Sequence, residues 1–295
     1  MRCGELMFRV RLLALATFWS MASPSTFADE RESWRSLLAS RLSVAKAVFP
    51  CAKQQCQLHV YRELGDEAPR PGLTLVWIVV PAKSASIKLQ IPDRTADVRS
   101  IYKDSPADGH SAVTVTAGFF ARQGDKRYPI GLHVTGSKIM HPMADFRGRD
   151  GNPMGGVVAL KESGLVIEGL VKARKNVGQY VEAVQSKPIL VESGSNGVAI
   201  ESHSDPFHNR VAVGVDDSGA VHVFGAFASN MKALTLFEFS DILVRLAQRS
   251  RLSNLNVINL DGGPSAHLYV PSRDLHFGSV GVGYVPSVLL VGRLK

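Results

Sequence analysis

The alternation of apolar and polar positions is clearest in RVAVGVDDSGAVHVFGAF, from Arg210 to Phe227. Val211, Val213 and Val215 repeat with a period of two, Asp216-Asp217-Ser218-Gly219 breaks the run, and Val221 and Val223 resume it. That pattern predicts a β-hairpin. Shorter runs of the same kind precede it: QLHVYREL, LTLVWIVV, SIKLQI, SAVTVTAGFF and GVVALKESGLVIEG. Each is rich in β-branched or aromatic residues and punctuated by Pro, Gly or Asp, as strands are. One segment changes period. In LTLFEFSDILVRLAQRS, Leu236, Phe239, Leu243 and Leu246 fall on one helical face, and Thr235 with Glu238 three positions later has the form of a capping box. RESWRSLLASRLSVAKAV is expected to begin with a second, short helix.

The order strand, strand, helix, strand near the C-terminus, with NVINL following the helix, places the chain in the α+β class. We expect a single domain with a mixed, largely antiparallel sheet core and few helices. No linker, low-complexity tract or fixed-period repeat divides the chain.

The N-terminus stands apart. Arg2, Arg9 and Arg11 surround an apolar run from Leu12 to Ala22, followed by Pro24 and the small-residue exit Thr26-Phe27-Ala28. This is the layout of a secretory signal peptide, and the run is too short for the roughly 20 residues a bilayer span requires. The expected organisation is a signal peptide over 1–28, an N-terminal segment over 29–69 that packs on the domain, and the domain itself over 70–295. The product would be exported, periplasmic or secreted, with no transmembrane segment in the mature chain. In such a compartment Cys51 and Cys56 are expected to form a small-loop disulfide; zinc would need help from a residue such as His59, and no second cysteine pair exists.

Removing residues 1–28 takes three arginines and Glu5 from a chain of net charge +8 and leaves +6. A mildly basic exported protein favours anionic surroundings such as phosphorylated sugars or envelope polymers. The charge is dispersed and no nucleic-acid-binding pattern occurs, so no nucleic-acid partner is expected. The nine histidines form no HExxH or HxH pattern, and GxSxG and phosphate-loop motifs are lacking. No cofactor or metal is called for, a divalent ion is left open, and oligomeric state leaves no sign in the sequence.

Chemistry concentrates in a few places. In INLDGGPSAHLYV, Asp261 ends an apolar run and is followed by Gly262 and Gly263, which let the backbone approach a ligand closely. The pattern fits a rigid, partly desolvated carboxylate used as nucleophile or base, although on local pattern alone an ordinary hairpin turn is the commoner use of Asp-Gly. Gly118 separates a strand from Phe119 and Phe120, of which at least one is expected in the core. Gln185, Ser186 and Lys187 stand before Pro188 with groups suited to hydroxyls or phosphate. Arg210 is placed to fork onto a phosphate or a carboxylate.

Taken in order, the glycine-aromatic strand end, PIGLHVTGSK, AVQSKPILV, RVAVGVDDSG, the helix and NLDGGPSAHLY resemble the phosphodiester glycosidase family over roughly residues 70–295. The resemblance implies hydrolysis of the bond between an N-acetylhexosamine anomeric carbon and a phosphodiester oxygen, on a phosphoglycan or sugar-phosphate substrate in the cell envelope. By motif it implicates Gly118, Phe120, Gln185, Ser186, Arg210, Asp261, Gly262, Gly263 and Ser265 as site residues without fixing their roles; we expect Asp261 and Arg210 to be catalytic and the others to bind substrate. Asp261 is expected to face the anomeric carbon, while Arg210, the amides around Gly262-Gly263 and Ser265 hold the phosphate. Two departures stand out: Thr116-Ala117 where the family usually has Asn-Gly, and Lys187 where it usually has glycine. Two other readings are a non-catalytic module that binds glycosyl phosphates and an envelope scaffold in which the DGG turn is structural.

Overall fold

The structure, a computed structural model, describes residues 42–51, 54–63, 72–91, 96–97, 111–123, 126–148, 151–198, 206–278, 284–285 and 287–293. The expected signal peptide and the expected N-terminal helix start lie outside them. Among the described residues the chain is mostly β, with two short helices, and every ladder is antiparallel. Three sheets dominate. In spatial order the largest runs Leu42–Pro50, Gln55–Glu63, Thr74–Val80, Val221–Phe227, Arg210–Val215, Asn256–Asn259, Ile189–Glu192 and Ser195–Asn196. A second runs Leu275–Gly278, His267–Val270, Ser111–Thr116, Val288–Arg293 and Ile87–Gln90; a third runs Lys138–His141, His133–Thr135, Glu182–Ser186, Gly156–Lys161 and Gly164–Gly169.

Period-two patterning decides which faces are buried. Ile78, Val213, Val223 and Ile258 from the large sheet meet Val113, Val115 and Leu289 from the second and Val158 and Val184 from the third in one core. The opposite face of the large sheet is apolar as well, with Leu75, Trp77, Ala212, Phe224 and Val257. The helix Leu236–Arg249 covers it with Phe239, Ile242, Leu243 and Leu246. Its start is the expected capping box: the Thr235 hydroxyl accepts from the Glu238 N–H, and the Glu238 carboxylate accepts from the Thr235 N–H. A cap of this kind is worth about 1 kcal/mol. The helix Leu170–Asn176 packs against the third sheet around Ala173 and Tyr180.

The hairpin 210–227 forms as expected. Its turn closes through the Gly219 N–H to the Asp216 carbonyl, and the Asp216 carboxylate accepts from the Ser218 and Ala220 N–H groups. Leu42–Pro50 and Gln55–Glu63 build the end of the large sheet, and Cys51 and Cys56, disulfide-bonded at a Cα separation of 5.6 Å, close the loop between them.

Candidate active site

The strand Asn256–Asn259 is flanked on both sides in the large sheet, and its Val257 and Ile258 are fully buried. It delivers Asp261 to the point where that sheet meets the second one. There the Asp261 N–H donates to the Ala117 carbonyl at 2.9 Å, just past the end of the strand Ser111–Thr116. The turn that follows needs its glycines. Gly263 sits at φ +62°, and a Cβ on Gly262 would stand 2.9 Å from the Asn209 carbonyl oxygen. The hairpin-turn alternative is thereby excluded: Asp261 is 9 % exposed and leads into a short 3-10 turn, Gly263–Ser265, before the strand His267–Val270 of the second sheet.

Burial is the dominant influence on the Asp261 carboxyl and pushes its pKa up from 3.8 to about 7, against the opposing pull of Ser265, the Gly262 N–H and the charge of Arg127. Oδ1 accepts from the Gly262 N–H at 3.1 Å. Oδ2 is buried and has no hydrogen-bond partner. Such an oxygen carries a substantial desolvation cost, and a carboxyl half-ionised at neutral pH is poised for acid–base or nucleophilic work.

Arg127, which the sequence did not single out, supplies the nearby positive charge. It lies on the strand Lys126–Pro129, and its guanidinium stacks over the Phe120 ring at 5.2 Å from the centroid. Phe120 and Phe119 are both half-buried, so neither is the fully buried core residue expected of the pair. Gly118 is dictated by space: a Cβ there would come within 2.9 Å of both the Gln185 carbonyl oxygen and Val184 Cγ2.

Several expected ligand groups are committed to the protein itself. The Gly262 N–H serves Asp261, and the Gly263 N–H donates to the Asn209 carbonyl at 2.8 Å, so the amides of the DGG turn do not form the expected phosphate cradle. Arg210 passes beside the turn, with Cδ 3.9 Å from where a Gly262 Cβ would be, yet its guanidinium donates to the Leu234 and Pro206 carbonyls at 3.0 and 2.6 Å. Gln185 is wholly buried: its side-chain oxygen accepts from the Leu132 and Ala144 N–H groups and its nitrogen donates to the Ala144 carbonyl. It pins two loops together. Ser186 differs, since its hydroxyl is buried and lacks a partner, as does Oδ1 of Asn259. Asn259 was also missed; it shares a strand face with Asp261 by period two and donates through Nδ2 to the Lys187 carbonyl.

The two departures from the family pattern have local roles. The Thr116 hydroxyl donates to the Ser265 carbonyl at 2.5 Å and braces the turn, and the Lys187 ammonium lies over the Phe146 ring at 4.9 Å. Below Gly118, His133 is held neutral, its pKa lowered by burial to about 4. Its Nδ1–H donates to the Gly131 carbonyl and Nε2 faces the Ser287 hydroxyl. Among the described residues no group of three or more His, Cys, Asp or Glu is arranged to hold a metal ion, and no helix is long and apolar enough to cross a membrane.

At the meeting of two sheets the site thus holds a desolvated acid within electrostatic reach of an arginine that lies over an aromatic ring, groups suited to acid–base or nucleophilic chemistry. The chain belongs to the phosphodiester glycosidase family, whose sequence profile matches residues 110–291. Among solved structures it is similar to the catalytic domain of zebrafish N-acetylglucosamine-1-phosphodiester alpha-N-acetylglucosaminidase, auto-inhibited by its pro-peptide. The TM-score is 0.57 at 16% identity, over 84% of this chain and 88% of that one. It is also similar to a hypothetical protein from Synechocystis, with TM-score 0.56 at 13% identity, over 86% of this chain and 68% of that one. At these identities the likeness is one of fold. No curated protein sequence matches the chain.

Proposed function

We propose that the protein hydrolyses the glycosidic bond of an N-acetylhexosamine-1-phosphodiester in the cell envelope, after export. Family membership supports a sugar phosphodiester as substrate. The observation that carries the reading is the buried, partnerless Oδ2 of Asp261 in a carboxyl held near neutrality beside Arg127.

The bond between the anomeric carbon and the phosphate oxygen breaks with its electron pair leaving on oxygen. That leaving group is a phosphomonoester anion, stable without protonation, so one carboxylate is sufficient where ordinary glycosidases use two. Ionised Asp261 attacks the anomeric carbon, or takes the proton of a water that does. Water ultimately supplies hydroxyl to the sugar. Arg127 and the Ser265 hydroxyl offset the negative charge that develops on the phosphate, while Phe120 offers a ring face to the sugar. The Ser186 hydroxyl and Asn259 Oδ1, buried and without partners, are the groups assigned to sugar hydroxyls or an acetamido N–H. Arg210 and Gln185 hold the surrounding loops.

The test is to incubate the purified mature protein with a panel of N-acetylhexosamine-1-phosphodiesters and to follow free sugar, with and without chelator. Release of hexosamine is expected in both conditions. Binding without release would replace the hydrolase with a glycosyl-phosphate-binding module.

A further inference from the structure

A groove of about 680 Å³ opens between the large sheet and the strand Leu275–Gly278 of the second sheet, a volume in the range of small-molecule sites. Its floor is apolar, built from Leu58, Val60, Phe227, Leu275 and Phe277. The Phe227 and Phe277 rings stack across the two sheets with centroids 6.1 Å apart. Its rim is cationic. Arg62 and Arg273 are both exposed, and Arg273 is fixed in place by donating to the Val48 carbonyl. No acidic side chain lines the groove among the described residues; the nearby Asp274 is engaged by Tyr269 and His276.

The groove shares its wall with the candidate active site at two points. Asn209 lines it, and the Asn209 carbonyl receives the Gly263 N–H. Gly278 also lines it and presses so closely on the chain just after Ser265 that a Cβ would stand 2.2 Å from the Ala266 carbonyl oxygen. The groove therefore lies against the backbone that carries the DGG turn, through Asn209 on one side and Gly278 on the other.

We propose that this groove receives the hydrocarbon tail of a lipid-linked sugar phosphate, so that the aglycone of the substrate is an apolar chain esterified to the phosphate. The inference rests on the hydrolase reading for its catalytic part. Its binding part stands on the groove alone: an apolar floor for the tail, Arg62 and Arg273 as a cationic rim that attracts an anionic ligand, and no carboxylate among the described lining residues to repel it.

The test uses n-decyl phosphate as probe, with inorganic phosphate and decanol as controls, titrated calorimetrically into the mature protein. Each buried methylene is worth about fourfold in affinity, so burying about four of them should make decyl phosphate bind roughly 200-fold more tightly than inorganic phosphate. Leu275→Asp should remove most of that difference, and the pair Arg62→Glu with Arg273→Glu should weaken decyl phosphate about tenfold or more. Asp261→Asn should leave binding in place. Equal affinity for decyl phosphate and inorganic phosphate overturns the proposal, as does tight binding that none of the groove variants weakens. Failure to bind combined with a dimer that the Arg62/Arg273 pair of substitutions dissociates would make the groove a subunit face and also overturns it. The catalytic arm compares decyl with methyl N-acetylhexosamine-1-phosphodiester. A kcat/KM preference for the decyl ester that Leu275→Asp abolishes supports the proposal, and turnover of both esters at equal kcat/KM overturns the groove while leaving the hydrolase reading intact. Tight, groove-dependent binding with no turnover of either ester supports the groove and overturns the hydrolase.

Discussion

Replacing Asp261 by asparagine tests the burial of its carboxyl through stability, separately from activity. Burial raises the pKa from 3.8 to about 7, which at about 1.4 kcal/mol per tenfold corresponds to a cost of about 4 kcal/mol when the group is ionised in the fold. Between pH 4 and pH 7 the native state keeps the proton that the unfolded chain has lost. Native stability contributed by this group therefore falls as pH rises through that window and is level above it. Asparagine has nearly the same shape and no charge, so it escapes this loss. It does place an N–H donor where Oδ2 finds no partner, a penalty of about 1–3 kcal/mol that is independent of pH. The informative quantity is thus the difference in Tm between Asp261→Asn and the parent, measured at pH 4 and again at pH 8. His133, whose folded pKa is lowered to about 4, makes stability rise between about pH 4 and 6.5, but it is present in both proteins and cancels. At about 2–4 °C per kcal/mol for a domain of this size, the difference should move in favour of asparagine by about 8–16 °C on going from pH 4 to pH 8. A difference that stays constant over this range would refute the claim that Asp261 is held desolvated.

The other predictions concern turnover and the supporting structure. If ionised Asp261 is the working form, kcat/KM should rise about tenfold per pH unit below pH 7 and level off above it; a profile flat from pH 5 to 8 contradicts this. Arg127→Gln should raise KM for a sugar phosphodiester by about 10-fold or more and leave an uncharged aryl glycoside nearly unaffected, and equal defects on both substrates would remove Arg127 from the phosphate. Arg210→Ala should instead lower Tm, because it takes away the bonds that tie Pro206 and Leu234 together. Burial would raise the Glu168 pKa, but bonds from Asn176, Lys161 and Tyr180 outweigh it and hold the carboxyl at about 2. Glu168→Ala should destabilise the fold by about 3 kcal/mol, since it leaves the largely buried Lys161 ammonium unpaired; chemical denaturation showing a loss below about 1 kcal/mol would contradict that.

What the sequence disclosed follows the range over which its signals act. The hairpin 210–227 and the capped helix were legible because alternation, turn residues and the Thr235–Glu238 box all lie within a few residues of one another. Sheet order was not: Thr74–Val80 pairs with Val221–Phe227 across almost 150 residues, and nothing local in either strand names the other. The shortage of helix was legible, but the predominance of β structure among the described residues was not, because SVAKAV carries helix-compatible residues and becomes a strand only by pairing with Gln55–Glu63. Asp261 stood out because an acid at the end of an apolar run is a local anomaly. Whether Arg210 and Gln185 turn to a ligand or to main chain depends on loops distant in sequence, at 234 and at 132–144, so their committed bonds had no local sign. Arg127 reaches the site only because the hairpin Phe120–Pro129 folds beside the end of another sheet. Its one local trace was the register that pairs the two arms of that hairpin.

The central claim is most directly tested by release of free hexosamine from an N-acetylhexosamine-1-phosphodiester by the mature protein and by a folded Asp261→Asn variant. The account predicts turnover by the parent and a loss of about 10³-fold or more in kcat for the variant. Equal turnover by the two proteins would contradict it.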